Sequence, residues 1–362
     1  MTEDTNRYVP RRVSPPGSTL LDLLEERGMA QNELADRTGL TPKTINEIIK
    51  AKAPITPDTA LKLERSLGVP ADFWLAREQH FQEWLARNRA EEEQAHAVDW
   101  LGKLPVKSLV KAGLVARARS KGEQVGELLR FFGVASPAAW SDVYASPQAS
   151  FRRSRAFESD VGATAAWLRM GELQAQLIKS EPYHADRFRL ALKAAVPLTR
   201  RPFAEVAEAL RLSCAGAGVA VALVPGVEGC RASGVARWLS PSKALIQLSD
   251  RHKTEDHLWF TFFHEAAHVL LHGKKAVFMD DGGGESSEEQ EADRFAQDLL
   301  VPPREYAAFR ATVTETIGRS AVEEFAARIG VAPGIIVGRL HHERALSFKR
   351  LNELKVRLEL PG

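Results

Sequence analysis

The tightest constraint on this chain is the run Phe262-Phe263-His264-Glu265-Ala266-Ala267-His268-Val269-Leu270-Leu271. Its apolar positions fit a helix, and two histidines four apart commit one face of that helix to a common task. At 3.6 residues per turn, positions 264 and 268 stand about 40° apart and roughly 6 Å apart along the axis. Two imidazoles at that separation can close on one ion, normally zinc. Glu265 comes directly after the first histidine, where it can reach a water beside the ion without binding the ion itself. A chain of this composition produces such a motif by chance in roughly a few per cent of cases, so the residues downstream of it decide the matter.

An ion of this kind needs a third protein ligand and an open fourth position. Residues 288–302 offer one: their apolar positions 292, 295, 296, 299 and 300 share a helix face, and Pro302 and Pro303 stop the helix. The segment from Asp280 to Ser287 is a glycine-rich turn, long enough to fold this second helix over the first. Glu289 is the expected third ligand, with Glu291 and Glu288 as alternates. Asp293, one turn beyond Glu289, suits a carboxylate that orients a ligand histidine from behind. The competing account is an acidic helix N-terminus, where carboxylates are favoured by the helix dipole. His272 lies about 12 Å along the axis from His264, too far to share an ion with it, and reads as a polar helix end.

Together these elements resemble the ImmA/IrrE family of zinc metallopeptidases, whose signature is H-E-x-x-H followed by E-x-x-A-(N/D)-x-F-A-x-x-L and a closing proline. Here the second element is carried by Glu289, Ala292, Asp293, Phe295, Ala296, Leu299 and Pro302. The resemblance extends upstream through residues 234–239 and 244–249 and covers roughly residues 155–345. It implies that His264, His268 and Glu289 hold Zn2+ and that Glu265 is the general base. It further implies a peptidase that cuts a transcriptional repressor in response to stress or to mobile-element induction.

The front of the chain has a different pattern. Residues 18–76 form short amphipathic helices, with residues 31–38 in one, Gly39-Leu40 as a tight turn and Thr41 opening the next. Thr41 is a good N-cap and Pro42 suits the first helical position. Leu34, Ala35, Leu40, Ile45 and Ile48 supply the small core of a helix-turn-helix. Thr41, Lys43, Thr44 and Asn46 are left at the outward end of the second helix, where base edges are read. Gln31 opens the supporting helix, and Lys50 and Lys52 are placed for phosphate contacts. The segment resembles the lambda-repressor-like (XRE) helix-turn-helix domains, and among them the HigA antitoxin subgroup, through Ile55 to Leu63 and Phe73-Trp74-Leu75.

Charge tempers the DNA reading. Residues 1–76 hold ten Lys/Arg and eleven Asp/Glu, whereas a tight DNA binder usually shows a basic footprint. The basic residues are nonetheless asymmetric, with Arg7, Arg11 and Arg12 in an arm and Lys43, Lys50 and Lys52 at the reading face. Modest affinity per protomer is therefore expected, strengthened by a homodimer on a palindromic operator.

Bulk properties set the remaining bounds. A net charge of +2 singles out no strongly charged partner, and Cys214 and Cys230 alone make no disulfide framework. No apolar stretch approaches the length of a membrane span, and no signal-peptide core is present. A cytoplasmic protein with no membrane association is expected. Residues 103–121 carry six basic and no acidic residues, which reads as a solvated face or dimer rim before a phosphate-binding one. Trp84, Trp140 and Trp167 are expected in the core.

The expected fold is α+β. A disordered arm (1–17) precedes the helix-turn-helix domain (18–76) and a helical linker region (77–154). A zincin-like domain (155–345) and a tail (346–362) complete the chain. Residues 158–179 and 185–215 read as two long amphipathic helices. A small antiparallel, three-stranded sheet is expected before the histidine helix, from residues 218–224, 234–239 and 243–248. The last of these is the expected strand on which a substrate peptide is laid. His257, Arg237 and Tyr306 are candidates for the oxyanion donor. These features point to a DNA-binding transcriptional regulator fused to a zinc endopeptidase acting on a regulatory protein. The rival is a HigA-like antitoxin, with a toxin partner and a zinc-binding domain that serves as a sensor.

Overall fold

The computed structural model describes residues 12–145, 160–272, 278–280, 286–313 and 317–359. Arg7 and Arg11, most of the expected arm, the start of the 155–345 region and residues 281–285 of the glycine-rich turn lie outside the described residues. The chain divides into two compact units, one of residues 1–98 and 119–125, the other of 99–118 and 126–362. No helix among the described residues is long and apolar enough to cross a membrane.

The first unit contains α1 (Pro16–Glu26), α2 (Gln31–Thr38), α3 (Pro42–Ile49), α4 (Pro57–Leu67) and α5 (Ala71–His96). Each short helix carries its own punctuation. Gly39 ends α2 in the left-handed conformation at φ 66°, where a Cβ would be strained. Thr41 then caps α3, its hydroxyl accepting from the Thr44 amide at 3.1 Å. Leu20, Leu24, Leu34, Ala35, Ile45, Ile48, Leu63 and Trp74 close a single small core, with Leu40 packed against it. The buried Glu78 carboxylate accepts from the Ile55 amide at 3.0 Å, which ties α5 to the turn after α3. Trp84 is half-buried and stacked on Phe81, at 6.1 Å between centroids.

The second unit opens with α6 (Val106–Lys111), the C-terminal part of α7 (Lys121–Phe132) and α8 (Pro137–Trp140), followed by α9 (Val161–Leu177), α10 (Ala185–Ala195) and α11 (Phe203–Ala215). The single long helix expected over 185–215 is therefore two. Pro197 lacks an amide hydrogen and clashes with the preceding turn, and residues 196–200 tighten into a 3-10 segment that separates them.

A four-stranded sheet comes next: β1 (Val219–Leu223), β2 (Gly234–Ser240), β3 (Lys243–Leu248) and the short β4 (Phe278–Asp280), in the order β1-β3-β2-β4. The β2–β3 hairpin is antiparallel as expected, with Gly234 opposite Leu248. The sheet as a whole is mixed, because β1 runs parallel to β3, with Val219 opposite Ala244. A continuous apolar run buried on both faces is the mark of such a strand, and all of Val219–Leu223 is buried. This topology also corrects the expected substrate strand. β3 is paired on both sides, so its backbone has no open edge to offer a peptide.

Alternation along β1 splits its side chains between two layers. Val219, Val221 and Leu223 belong to the core that α11 shares with α12 (Glu255–Leu271), among Val206, Leu210, Trp259 and Phe262; α11 packs on β1, and α12 on β2 and β3. Ala220, Ala222 and Val224 pack with Ala163, Trp167 and Leu168 of α9. Helix α9 thus covers one face of the sheet, and the histidine helix the other. Against it fold α13 (Ser287–Leu300), α14 (Pro303–Arg310), α15 (Arg319–Ile329) and α16 (Pro333–His342), which contribute Ala296, Phe309, Phe325 and Ile336 to the same core. Trp140 and Trp167 are buried, as expected.

Candidate metal centre and nucleic-acid interface

Helix α12 begins with Glu255 and Asp256 in its first turn, where the dipole favours acids, and ends at Leu271. Its burial is nearly complete around the histidines: His264 is 3% exposed, Glu265 0% and His268 2%. Ser286 caps α13 by accepting from the Glu289 amide at 3.2 Å. The cap fixes where the helix starts and so which carboxylate of its first turn faces α12.

That carboxylate is Glu289. The His264 and His268 Nε2 atoms lie 3.0 Å apart. Glu289 Oε2 is 3.0 Å from the first and Oε1 is 3.4 Å from the second. One ligand atom from each of the three residues falls within 4.8 Å of the others. Behind His264, Nδ1 meets Asp293 Oδ1 at 2.9 Å, the place expected for an orienting carboxylate. The alternates for the third ligand lie elsewhere. Glu288 accepts from the Ser287 hydroxyl at 3.1 Å, and Glu291 stands 3.3 Å from His272 Nε2.

Protonation suits a cation. Burial, the leading influence on His268, pushes its imidazole below the ordinary range. Burial also acts to raise the Glu289 carboxyl, but hydrogen bonds from His264 and His268 and the charge of the two rings outweigh it and hold it at about 2. Two imidazole nitrogens and one carboxylate oxygen, converging without a cysteine, make a donor set that suits zinc with a position left open. The residues fit the ion.

Glu265 faces β2. A Cβ on Gly234 would fall 2.8 Å from its Cγ and carboxylate oxygen, so a glycine at that strand position makes room for the carboxylate. A cavity of about 440 Å³ opens beside the centre, lined by His264, Glu289 and Asp293 together with Ser233, His257, Phe260, Leu300 and Ile335. Of the three oxyanion candidates, His257 alone lines it. Arg237 is bound to Glu172 and to the Leu168 carbonyl, and Tyr306 donates to Glu343 at 2.6 Å.

In the first unit, Ile45 and Ile48 bury the inner face of α3. Thr41, Lys43, Lys50 and Lys52 are exposed, and Gln31, Thr44 and Asn46 half-buried. The structure therefore leaves the expected reading residues at the surface of one short segment. Thr44 Oγ1 also meets Thr41 Oγ1 at 2.9 Å, so both hydroxyls are already engaged in the cap. The Lys43 amine lies 3.8 Å from Glu47 in an ion pair that is open to solvent and offers little resistance to a phosphate or base.

Two families match this chain: helix-turn-helix over residues 20–74, and the M78 peptidase family, IrrE N-terminal-like domain, over residues 233–341. Virulence-associated protein I of Dichelobacter nodosus is 39% identical over 61 residues, 17% of this chain and 56% of that protein. The chain thus spans little more than half the length of that relative. Antitoxin HigA-1 of Vibrio cholerae is 32% identical over 88 residues, 24% of this chain and 83% of that protein. A solved addiction module antidote protein of a HigA family from Coxiella burnetii is 27% identical, covering 22% of this chain and 89% of its own, with a TM-score of 0.21.

Proposed function

We propose that this chain, which belongs to the helix-turn-helix family through residues 20–74 and carries an IrrE N-terminal-like domain over residues 233–341, is a DNA-binding transcriptional regulator and a zinc-dependent endopeptidase. Its substrate is a specific regulatory protein: a repressor, a paralogue, the chain itself or a partner toxin. The observation that carries the reading is the convergence of His264 and His268 of α12 with Glu289 of α13, their ligand atoms within 4.8 Å of one another, beside the buried Glu265.

His264, His268 and Glu289 are the residues that would hold the ion. Zinc bound there supplies a Lewis acid with an open position, which polarises a carbonyl and acidifies water. Asp293 accepts from His264 Nδ1–H, so the ring presents a bare Nε2 and keeps its orientation. Glu265 takes the proton of the attacking water on its carboxylate and returns it to the leaving amine nitrogen. Its burial keeps bulk water from competing for that proton. The adjoining cavity receives a substrate side chain, and His257 is the nearest candidate to donate a hydrogen bond to the oxyanion. In the first unit, Lys43, Thr44 and Asn46 read base edges while Lys50 and Lys52 hold phosphates, as a homodimer on a palindromic cytoplasmic operator.

Metal analysis combined with a co-expression cleavage assay tests the peptidase. Wild type and Glu265→Gln should both carry about one zinc per chain, and only wild type should cut a co-expressed repressor or toxin. Cleavage that persists in Glu265→Gln removes the assigned base. A second reading, a HigA-like antitoxin and repressor whose zinc domain senses without cutting, is favoured by the similarity to Antitoxin HigA-1 across 83% of that protein. It predicts a stable complex with a small toxin from a neighbouring reading frame, and no cleavage product.

A further inference from the structure

We infer that His272 is a positioning residue for His268, and that Glu291 in turn orients His272; the inference rests on the zinc reading above. His272 is the residue at which α12 ends. Its backbone is extended, at φ −105° and ψ 155°, while its amide still donates to the His268 carbonyl at 3.2 Å. Leaving the helix there turns the side chain back over the preceding turn. The two imidazoles stand 4.9 Å apart at 48°, and His272 Nδ1 lies 2.8 Å from His268 Nδ1.

Only one of those two nitrogens can carry the hydrogen between them. A His268 that offers Nε2 to an ion must hold its proton on Nδ1, so His268 donates and His272 accepts. With its Nδ1 accepting, His272 has its Nε2 left to donate. That atom faces Glu291 Oε2 at 3.3 Å, and the His272 side chain is only 7% exposed while Glu291 is 59% exposed. Each hydrogen in the series His268–His272–Glu291 therefore has one donor and one acceptor. The two ligand rings are backed differently: His264 meets the Asp293 carboxylate directly, and His268 reaches a carboxylate through a second imidazole.

The same geometry excludes His272 as a ligand. Its Nδ1 is engaged by His268, its Nε2 by Glu291, and it is not among the three residues whose atoms converge. Glu291 gains a role other than that of third ligand.

The test uses the full-length chain, with zinc affinity measured by competition against a chromophoric chelator and the ligand field read from the Co(II) absorption spectrum. His272→Ala should weaken zinc binding by about 10–100-fold, the usual cost of losing a hydrogen bond behind a ligand, and should shift the cobalt bands. His272→Asn places an acceptor oxygen where Nδ1 stands and should restore most of the affinity and the spectrum. His272→Gln places its polar atoms where Nε2 stands and should behave like alanine. Thermal melting of the metal-free variants separates positioning from folding. Wild-type affinity in His272→Ala overturns the inference while leaving the metal reading intact. So does an equal loss in the Asn and Gln variants that tracks a common drop in metal-free stability. Wild type that binds no stoichiometric zinc overturns the metal reading, and this inference with it.

Discussion

A Cβ on Gly234 would lie 2.5 Å from Thr261 Cγ2 and 2.8 Å from the Glu265 carboxylate, so only a glycine at this position of β2 leaves the proposed base its room. Gly234→Ala should force Glu265 aside at a cost of about 1–3 kcal/mol in stability. It should lower cleavage by up to about 100-fold, as small misplacements of reacting groups do, yet leave zinc stoichiometric. Loss of zinc together with cleavage would place Gly234's influence on the ligands instead. The ligands have their own signature: His264→Ala and His268→Ala should abolish stoichiometric zinc, and Glu289→Ala should weaken it severely. Glu265→Gln should retain it, and a Glu265→Gln chain as metal-free as the histidine variants would make Glu265 a ligand. The spacing of His264, Glu265, His268 and Glu289 made this group legible in the sequence, and Ser286 as a cap explains why Glu289 rather than Glu291 turns inward. The relation of His272 to His268 was not legible. It depends on backbone torsions after the last helical residue, which no periodicity encodes.

At the scale of elements, helices with explicit stops were the most readable. Gly39, Thr41 and Pro42 punctuate α2 and α3 where turn chemistry says they should, and the hydrophobic spacing between them gives the core. The sheet was less readable because pairing partners are distant in the chain. The β2–β3 hairpin is dictated by its short turn, but β1 joins β3 in parallel, and the three-residue β4 is too short to announce itself. Pro197 was a legible break that the amphipathic pattern on both sides obscured. The α3 cap offers a measurable consequence. Thr41→Ala removes the acceptor of the Thr44 amide and should cost about 1 kcal/mol, lowering the first unit's melting temperature and its DNA affinity together. Lys43→Ala and Asn46→Ala should narrow the preference for operator over random DNA, each by roughly 1–3 kcal/mol for a good base contact. Lys50→Ala and Lys52→Ala should weaken both DNAs alike and flatten the salt dependence. A mobility-shift titration on the promoter of its own gene, at several salt concentrations, separates the two classes. Equal losses on both DNAs for all four variants would deny α3 a reading role.

For the molecule as a whole, each unit closes a core from its own residues, so a ligand of one unit need not stabilise the other. The first is closed by residues between Leu20 and Trp74. The large core of the second joins the histidine helix to the sheet and to the helices around it. Zinc binding only the folded second unit stabilises it by mass action, by about 2.7 kcal/mol at a hundredfold excess over Kd. For a domain of this size that is several degrees in Tm. The core of the second unit is closed by apolar side chains independently of the ion, so chelation should destabilise without unfolding. Calorimetry of the full chain should therefore show two transitions, of which chelator lowers one and zinc restores it. The transition that stays put should be the one that Thr41→Ala moves. DNA affinity should be the same with zinc and with chelator. If chelation instead moves both transitions by the same amount and abolishes the DNA shift, the two units respond to the metal as one, and the zinc site becomes a switch for DNA binding.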